Sequence, residues 1–156
     1  MYKKLIFIIV LFNLISHCGF EPMYLNKKNV NFTIETIEFV GDRSINRFLK
    51  NNLNQFKRYK ENNKKFKIKA NTKYEKNILT KDKSAKITNY ELSFFTLFEI
   101  TSSGKLIKVL KISDKEIMSN INDDFEEQQN ERIAKENFAS STSDKLETEL
   151  SILNDN

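Results

Sequence analysis

The sequence has very few of the residues on which most enzyme and metal sites depend. Its 156 residues include one cysteine, one histidine, three glycines and no tryptophan. A single cysteine permits no disulfide within the chain, and thiolate or imidazole zinc sites need more ligands than Cys18 and His17 supply. The chain after Cys18 has neither residue, which excludes serine–histidine and cysteine–histidine catalysis there. Three separated glycines cannot form a glycine-rich phosphate loop.

The amino-terminal stretch has the layout of a secretory signal peptide. Lys3 and Lys4 precede an apolar run at 5–15 that only Asn13 interrupts. An apolar run of about a dozen residues is too short for a helix that crosses about 30 Å of hydrocarbon, for which roughly 20 residues are needed. We therefore predict that residues 1–17 are a signal peptide that is removed.

The only cysteine, Cys18, directly follows this segment, with Ile15 and Ser16 at the third and second places before it. This arrangement resembles the lipobox of bacterial lipoproteins, in which the cysteine sulfur is diacylated, the chain is cut before it and the new amino terminus is acylated. A lipobox usually has Gly, Ala or Ser before the cysteine, whereas this chain has His17. We predict lipidation at Cys18. An ordinary signal peptide, or an uncleaved signal anchor, is the alternative.

Charge is unevenly distributed along the rest of the chain, whose length suits one domain with a modest two-layer core. Residues 26–83 carry 16 basic and 6 acidic side chains, and residues 84–156 carry 8 and 14. This polarity favours contact between a basic and an acidic helix, or a basic face toward an anionic partner. A solvated surface explains it equally well.

Periodicity in the first half predicts a strand, a helix and a second strand. The strand, over 32–39, changes its alternation at Glu35, which indicates a β-bulge. An amphipathic helix over 44–59 follows, with Asp42 or Ser44 as its N-cap. Residues 65–75 then alternate between apolar or small side chains and mostly lysines, as in a half-buried strand with a basic exposed face.

The second half begins with a predicted loop over 77–85 and the longest strand, over 87–101. Residues 102–105 form a hairpin connection, and a return strand from Leu106 continues irregularly after Ile112. A long helix over 123–153, frayed or kinked near its middle, ends the pattern.

The order strand–helix–strand–strand–strand–helix predicts an α+β two-layer sandwich. Two helices pack on a mainly antiparallel four-stranded sheet. We divide the chain into a signal peptide at 1–17, a lipidated tether at 18–31 and a single domain at 32–156.

The polar residues point to binding more than to catalysis. Adjacent acids at 123–124 and 126–127 do not face each other on a helix and have no nucleophilic partner, so they indicate a helix start. Lysines interleaved with aromatic residues at 57–76 suit single-stranded nucleic acid, which an exported protein does not routinely meet. The same lysines suit phosphorylated lipid head groups. We expect no enzyme activity, cofactor, metal or nucleic-acid partner.

The segment CGFEPMY at 18–24 resembles the start of the mature chains in the LptE family of lipopolysaccharide-assembly lipoproteins. The helix with RFLKNNL at 47–53 resembles its first helix. A long strand opening with YEL at 90–92, a glycine hairpin at Gly104 and a long carboxyl-terminal helix match its layout.

This resemblance implies a non-enzymatic lipoprotein that is anchored in the outer membrane and faces the periplasm. Its partners would be an LptD-like β-barrel, in which the domain seats, and lipopolysaccharide, which the pair delivers to the outer leaflet. By position we expect Lys105 at the hairpin tip, with Lys108 and Lys111 on the next strand, to contact lipid phosphates or the barrel. Ordinary exposed lysines are the alternative. A generic envelope adaptor or binding module, or an exported enzyme with carboxylate chemistry, are alternatives for the whole protein.

Overall fold

The computed structural model describes residues 32–57, 64–121 and 123–155. The predicted signal peptide and tether, including Cys18, lie outside the described residues. The elements follow in the predicted order, which confirms the α+β class. They are β1 (Phe32–Gly41), α1 (Arg43–Leu53) with a 3₁₀ turn (Asn54–Lys57), β2 (Lys64–Lys81), β3 (Ile87–Ser102), β4 (Lys105–Ser119) and α2 (Asp124–Asp155).

The four strands form one mixed sheet in the order β1-β2-β3-β4. The pairs β2–β3 and β3–β4 are antiparallel, whereas β1 runs parallel to β2. A parallel pair needs a crossover connection, and α1 supplies it between β1 and β2. The sheet is therefore mainly antiparallel with one parallel edge.

The predicted bulge in β1 is confirmed. Ile34 pairs with Phe66 and Thr36 with Lys67, so Glu35 is the extra residue. Phe32 and Ile34 are buried before the bulge, and Ile37 and Phe39 are half-buried after it. The extra residue thus returns the apolar side chains of both halves to the same face of the sheet.

A close backbone contact holds the start of α1 against β2. Gly41 has φ +101°, and a Cβ atom there would lie 1.8 Å from the carbonyl oxygen of Thr72. The Asp42 amide donates to that carbonyl oxygen at 3.2 Å. The Thr72 hydroxyl donates to Oδ1 of Asn46 at 2.8 Å. Asp42 Oδ1 accepts from the amide of Ile45 at 2.9 Å, which confirms Asp42 as the N-cap.

Both helices contribute to the core on one face of the sheet. Six phenylalanines are among its buried residues, and the rings of Phe94 and Phe138 stack with centroids 5.1 Å apart. Ala139, Thr142 and Ser143 of α2 are buried. The helix is continuous through them, so the predicted kink is wrong: these small residues belong to one buried stripe rather than to a break.

Three predicted boundaries are also wrong. Helix α1 ends at Leu53 and gives way to the 3₁₀ turn, whereas we expected it to reach residue 59. Strand β2 continues to Lys81, through most of the predicted loop, because pairing with β3 satisfies its backbone even where Ile78 and Leu79 are exposed. Strand β4 is regular from Lys108 through Ser119, rather than irregular after Ile112, because pairing with β3 satisfies its backbone as well.

The hairpin connection is shorter than the predicted four residues. Only Ser103 and Gly104 separate β3 from β4, and both have positive φ, at 50° and 77°. This backbone is typical of a type I′ turn, whose twist matches that of the two strands.

We predict that Gly41→Ala destabilises the protein much more than Gly104→Ala. Both glycines have positive φ, but only a Cβ at Gly41 meets backbone, whereas nothing lies within 4 Å of one at Gly104. The expected loss in the free energy of unfolding is at least about 2 kcal/mol at Gly41 and about 1 kcal/mol at Gly104. Urea denaturation of both variants measures the difference. Equal losses would contradict the proposed contact with Thr72.

Candidate interaction surface

The two faces of the sheet differ in what covers them. Side chains that point toward the helices, such as Phe66, Leu92 and Phe98, are fully buried. On the opposite face, Phe95 and Leu97 are half-buried among exposed lysines of β2. No helix of the described segments packs on this second face. We call this face, which carries Phe95, Leu97 and Lys111, the open face.

The three lysines predicted as contacts do not form one cluster. Lys108 faces the helices, and its Nζ lies 2.9 Å from Oε1 of Glu149 on α2. Lys111 lies on the open face, opposite Leu97 in the β3–β4 pairing. Lys105 begins β4 at the hairpin turn. Lys108 thus holds the helix, whereas Lys105 and Lys111 are exposed and have no ion pair among residues 32–57, 64–121 and 123–155.

Three further lysines lie near the hairpin turn, and position along the chain alone did not reveal them. Lys64, Lys65 and Lys67 line a cleft of about 390 Å³ with Glu35 and residues 101–104. The β2–β3 register brings them there, because it places Lys67 opposite Thr101. The period-two lysine pattern was the signal in the sequence, but only the register connects it to the hairpin.

These lysines are partly engaged by the protein itself. Lys64 Nζ donates to the carbonyl oxygen of Leu153 at 2.5 Å, and Lys67 Nζ lies 3.7 Å from Oε2 of Glu35. Both pairs are exposed, so each contributes little to stability. We call Lys64, Lys65, Lys67 and Lys105 the hairpin-end surface. Ammonium groups in this arrangement can bind phosphate oxygens as point charges.

The most buried group of charges joins β2 to the first half of α2. Lys76 Nζ lies 2.6 Å from Oε1 of Glu127 and 3.3 Å from Oε2 of Glu131. Lys135 Nζ lies 2.8 Å from Oε1 of Glu131 and 3.8 Å from the centre of the Tyr74 ring. The acidic start of α2 therefore meets a basic strand, rather than the basic helix that charge polarity suggested.

The pKa values in this group follow from burial and pairing. Burial raises the pKa of the Tyr74 hydroxyl, and the charge of Glu131 raises it further, so the hydroxyl stays neutral. Burial alone would raise the pKa of Glu131, but the hydrogen bond and charge of Lys135 hold it below its usual value. Burial opposes ionisation of Lys76, yet its carboxylate partners raise its pKa.

Asp123, the acid directly before α2, has a structural role. Asp123 Oδ1 accepts from the amides of Phe125 and Glu126, at 2.9 and 3.1 Å, which makes Asp123 the cap.

Within the described segments, no group of three His, Cys, Asp or Glu side chains is placed to hold a metal ion. No described helix is long and apolar enough to cross a membrane.

Two helices on one face of a mixed four-stranded sheet are the architecture of several solved bacterial lipoproteins. The chain has this LptE-like lipoprotein fold. No protein-family model matches the chain, and no curated protein matches it in sequence.

Three of these structures show the extent of the similarity. Rare lipoprotein B from Shewanella oneidensis is 11% identical over 76% of this chain and 95% of its own, with a TM-score of 0.55. An uncharacterised lipoprotein B from Nitrosomonas europaea is 13% identical over 81% of this chain and 89% of its own, with a TM-score of 0.56. A minor lipoprotein from Acinetobacter baumannii is 13% identical over 74% of this chain and 94% of its own, with a TM-score of 0.51.

We predict that Glu131→Gln lowers stability at neutral pH and that the difference disappears in acid. A carboxylate whose pKa is lowered in the folded state stabilises it above the ordinary value of 4.5, and this contribution is lost as the pH falls through the lowered value. At pH 7 the expected loss is about 1–2 kcal/mol.

Urea unfolding at pH 7 and about pH 3 checks this expectation. Glu136→Gln is the matched control, because Glu136 lies on the same helix but half-exposed, 3.4 Å from Arg132. It should change stability by less than about 0.5 kcal/mol. An equal effect of both variants would show that the contacts with Lys76 and Lys135 do not stabilise the fold.

Proposed function

We propose that the protein is an outer-membrane lipoprotein that partners an LptD-like β-barrel and helps to deliver lipopolysaccharide to the outer leaflet. Acyl chains on Cys18 anchor it, and its domain faces the periplasm. The observation that carries the proposal is the fold, which solved lipoproteins share over 74–81% of this chain. The segment CGFEPMY, beginning at Cys18, adds independent support from the sequence.

The tether limits where the domain acts. Residues 18–31 span at most about 50 Å when fully extended. A domain on this tether samples only the space next to the membrane surface, where a barrel opens to the periplasm. Anchoring thus raises the effective concentration of the domain at its partner.

Charge supports a role in binding rather than in catalysis. Lys76, Lys108 and Lys135 are paired with acids of α2 and hold the fold together. Lys105 and Lys111 are exposed and able to meet the barrel or lipid phosphates. We therefore assign contact with the partner to Lys105 and Lys111, and remove Lys108 from the three expected contacts.

We predict that the tagged protein, purified from detergent-solubilised outer membranes, retains a large β-barrel protein. Replacing Lys105 and Lys111 together by Gln should lower the amount retained several-fold, because two charge contacts are lost. Lys86→Gln is the matched control: Lys86 is also exposed, but it lies directly before β3, at the other end of that strand from the hairpin. Immunoblotting or mass spectrometry of the retained proteins measures the outcome.

Recovery without a large β-barrel would contradict the proposed partnership and leave a generic envelope adaptor as the better account. If the barrel is retained but the double variant behaves like Lys86→Gln, the partnership stands and the assignment of Lys105 and Lys111 is wrong.

A further inference from the structure

Strand β4 is a long edge that nothing pairs within the described part of the chain. It has 15 residues, its neighbour on one side is β3, and the other side is free. Leu106, Val109 and Ile117 on this strand are 58%, 43% and 67% exposed. A long edge with unpaired amides and exposed apolar side chains is a template for pairing with another strand, and soluble proteins usually protect such edges.

The sequence of β4 is complementary to itself when two copies run antiparallel. With a two-fold axis at Ile112, each residue pairs with the one at the same distance on the other side of Ile112 in the second copy. Lys108 then faces Glu116 of the other copy, twice, and the two Ile112 side chains meet. Val109 faces Lys115, and Lys111 faces Ser113, so no like charges are opposed.

The neighbouring registers lack this complementarity. An axis at residue 111 places the two copies of Lys111 opposite each other, and an axis at 114 does the same for Asp114. An axis at 113 places Lys111 opposite Lys115 twice. Directly opposed like charges destabilise a strand pair. The axis at Ile112 also lies at the centre of a regular stretch of β4, from Lys108 to Glu116, whose two ends pair with each other.

The side chains around β4 permit this register. The β3–β4 bulge leaves Ile107 as an extra residue, so the strand is regular from Lys108 onward and Lys108, Ile112 and Glu116 share one face. Glu116 is exposed and has no ion pair among the described residues. Lys108 approaches Glu149 of α2 at 2.9 Å and is itself 44% exposed, so a second carboxylate can reach it.

We propose that β4 pairs with β4 of a second copy of this chain, in the register with its two-fold axis at Ile112, and forms a continuous eight-stranded sheet. Such an interface is isologous, because the same strand supplies both sides. It covers the free edge without another protein. The proposal does not rest on the barrel partnership, and the chain alone is enough to test it.

Cross-linking tests the register directly. In the full-length chain with Cys18→Ala, purified in detergent, the double variant Val109→Cys/Lys115→Cys should form a covalent dimer with a short bis-maleimide. Each new thiol faces its counterpart in the other copy. Within one copy the two thiols are about 20 Å apart, six residues along the strand. Each single variant is the matched control, since its two thiols, one in each copy, are also about 20 Å apart in the dimer.

Charge at Ser113 tests the same pairing without cysteines. Ser113 is exposed and faces Lys111 of the other copy in this register. Analytical ultracentrifugation of the full-length chain should give a dimer dissociation constant that is roughly fivefold higher for Ser113→Lys than for Ser113→Gln. The constant for Ser113→Glu should be lower than that for Ser113→Gln.

Three results would overturn the proposal. One is a protein that stays monomeric at every concentration, and another is cross-linking of the single variants as efficient as that of the double variant. The third is a dissociation constant that does not change with the charge at residue 113. Because the barrel is absent from both experiments, failure here leaves the proposed function untouched, and loss of the barrel partnership leaves this proposal untouched.

Discussion

The close approach of Gly41 to Thr72 is the constraint on which the arrangement of the layers depends. Gly41 leaves no Cβ to collide with the Thr72 carbonyl, so the chain can turn out of β1 and start α1 directly against β2. Hydrogen bonds from Asp42 and from the Thr72 hydroxyl then fix the first turn. The crossover through α1 then brings the chain back into β2 parallel to β1, so the contact fixes the helix against the parallel pair at this edge of the sheet.

Charge segregation along the chain has a structural use at the helix layer. Basic residues of β2 and β4 meet acids of α2, through Lys76 with Glu127 and Glu131 and through Lys108 with Glu149. These pairs lie at the borders of an otherwise apolar core, where partial burial makes them stronger than exposed pairs. These ion pairs neutralise lysines that the sequence alone made available to an external partner. The exposed basic side chains include those of the hairpin-end surface and Lys111 on the open face.

Local signals predicted most of the fold, and pairing between distant segments accounts for what they missed. The bulge in β1 and the cap at Asp42 follow from short patterns, and the structure confirms both. The extension of β2 to Lys81 has no such pattern, because its partner in β3 rather than its own apolar residues stabilises it. The predicted lysines were placed by chain position alone, and the alternation of β4 separates Lys108 from Lys111. In the same way, the β2–β3 register places Lys67 next to the hairpin, which its position along the chain does not reveal.

A folded domain that binds by its surface and is held at a membrane by one amino-terminal residue is the account that these features support. The proposed localisation and the proposed partnership both depend on lipidation at Cys18. Mass spectrometry of the mature protein isolated from membranes tests it most directly. The account predicts an amino-terminal peptide that begins at Cys18 and carries three acyl chains. A peptide that begins elsewhere, or a Cys18 without acyl chains, would contradict it.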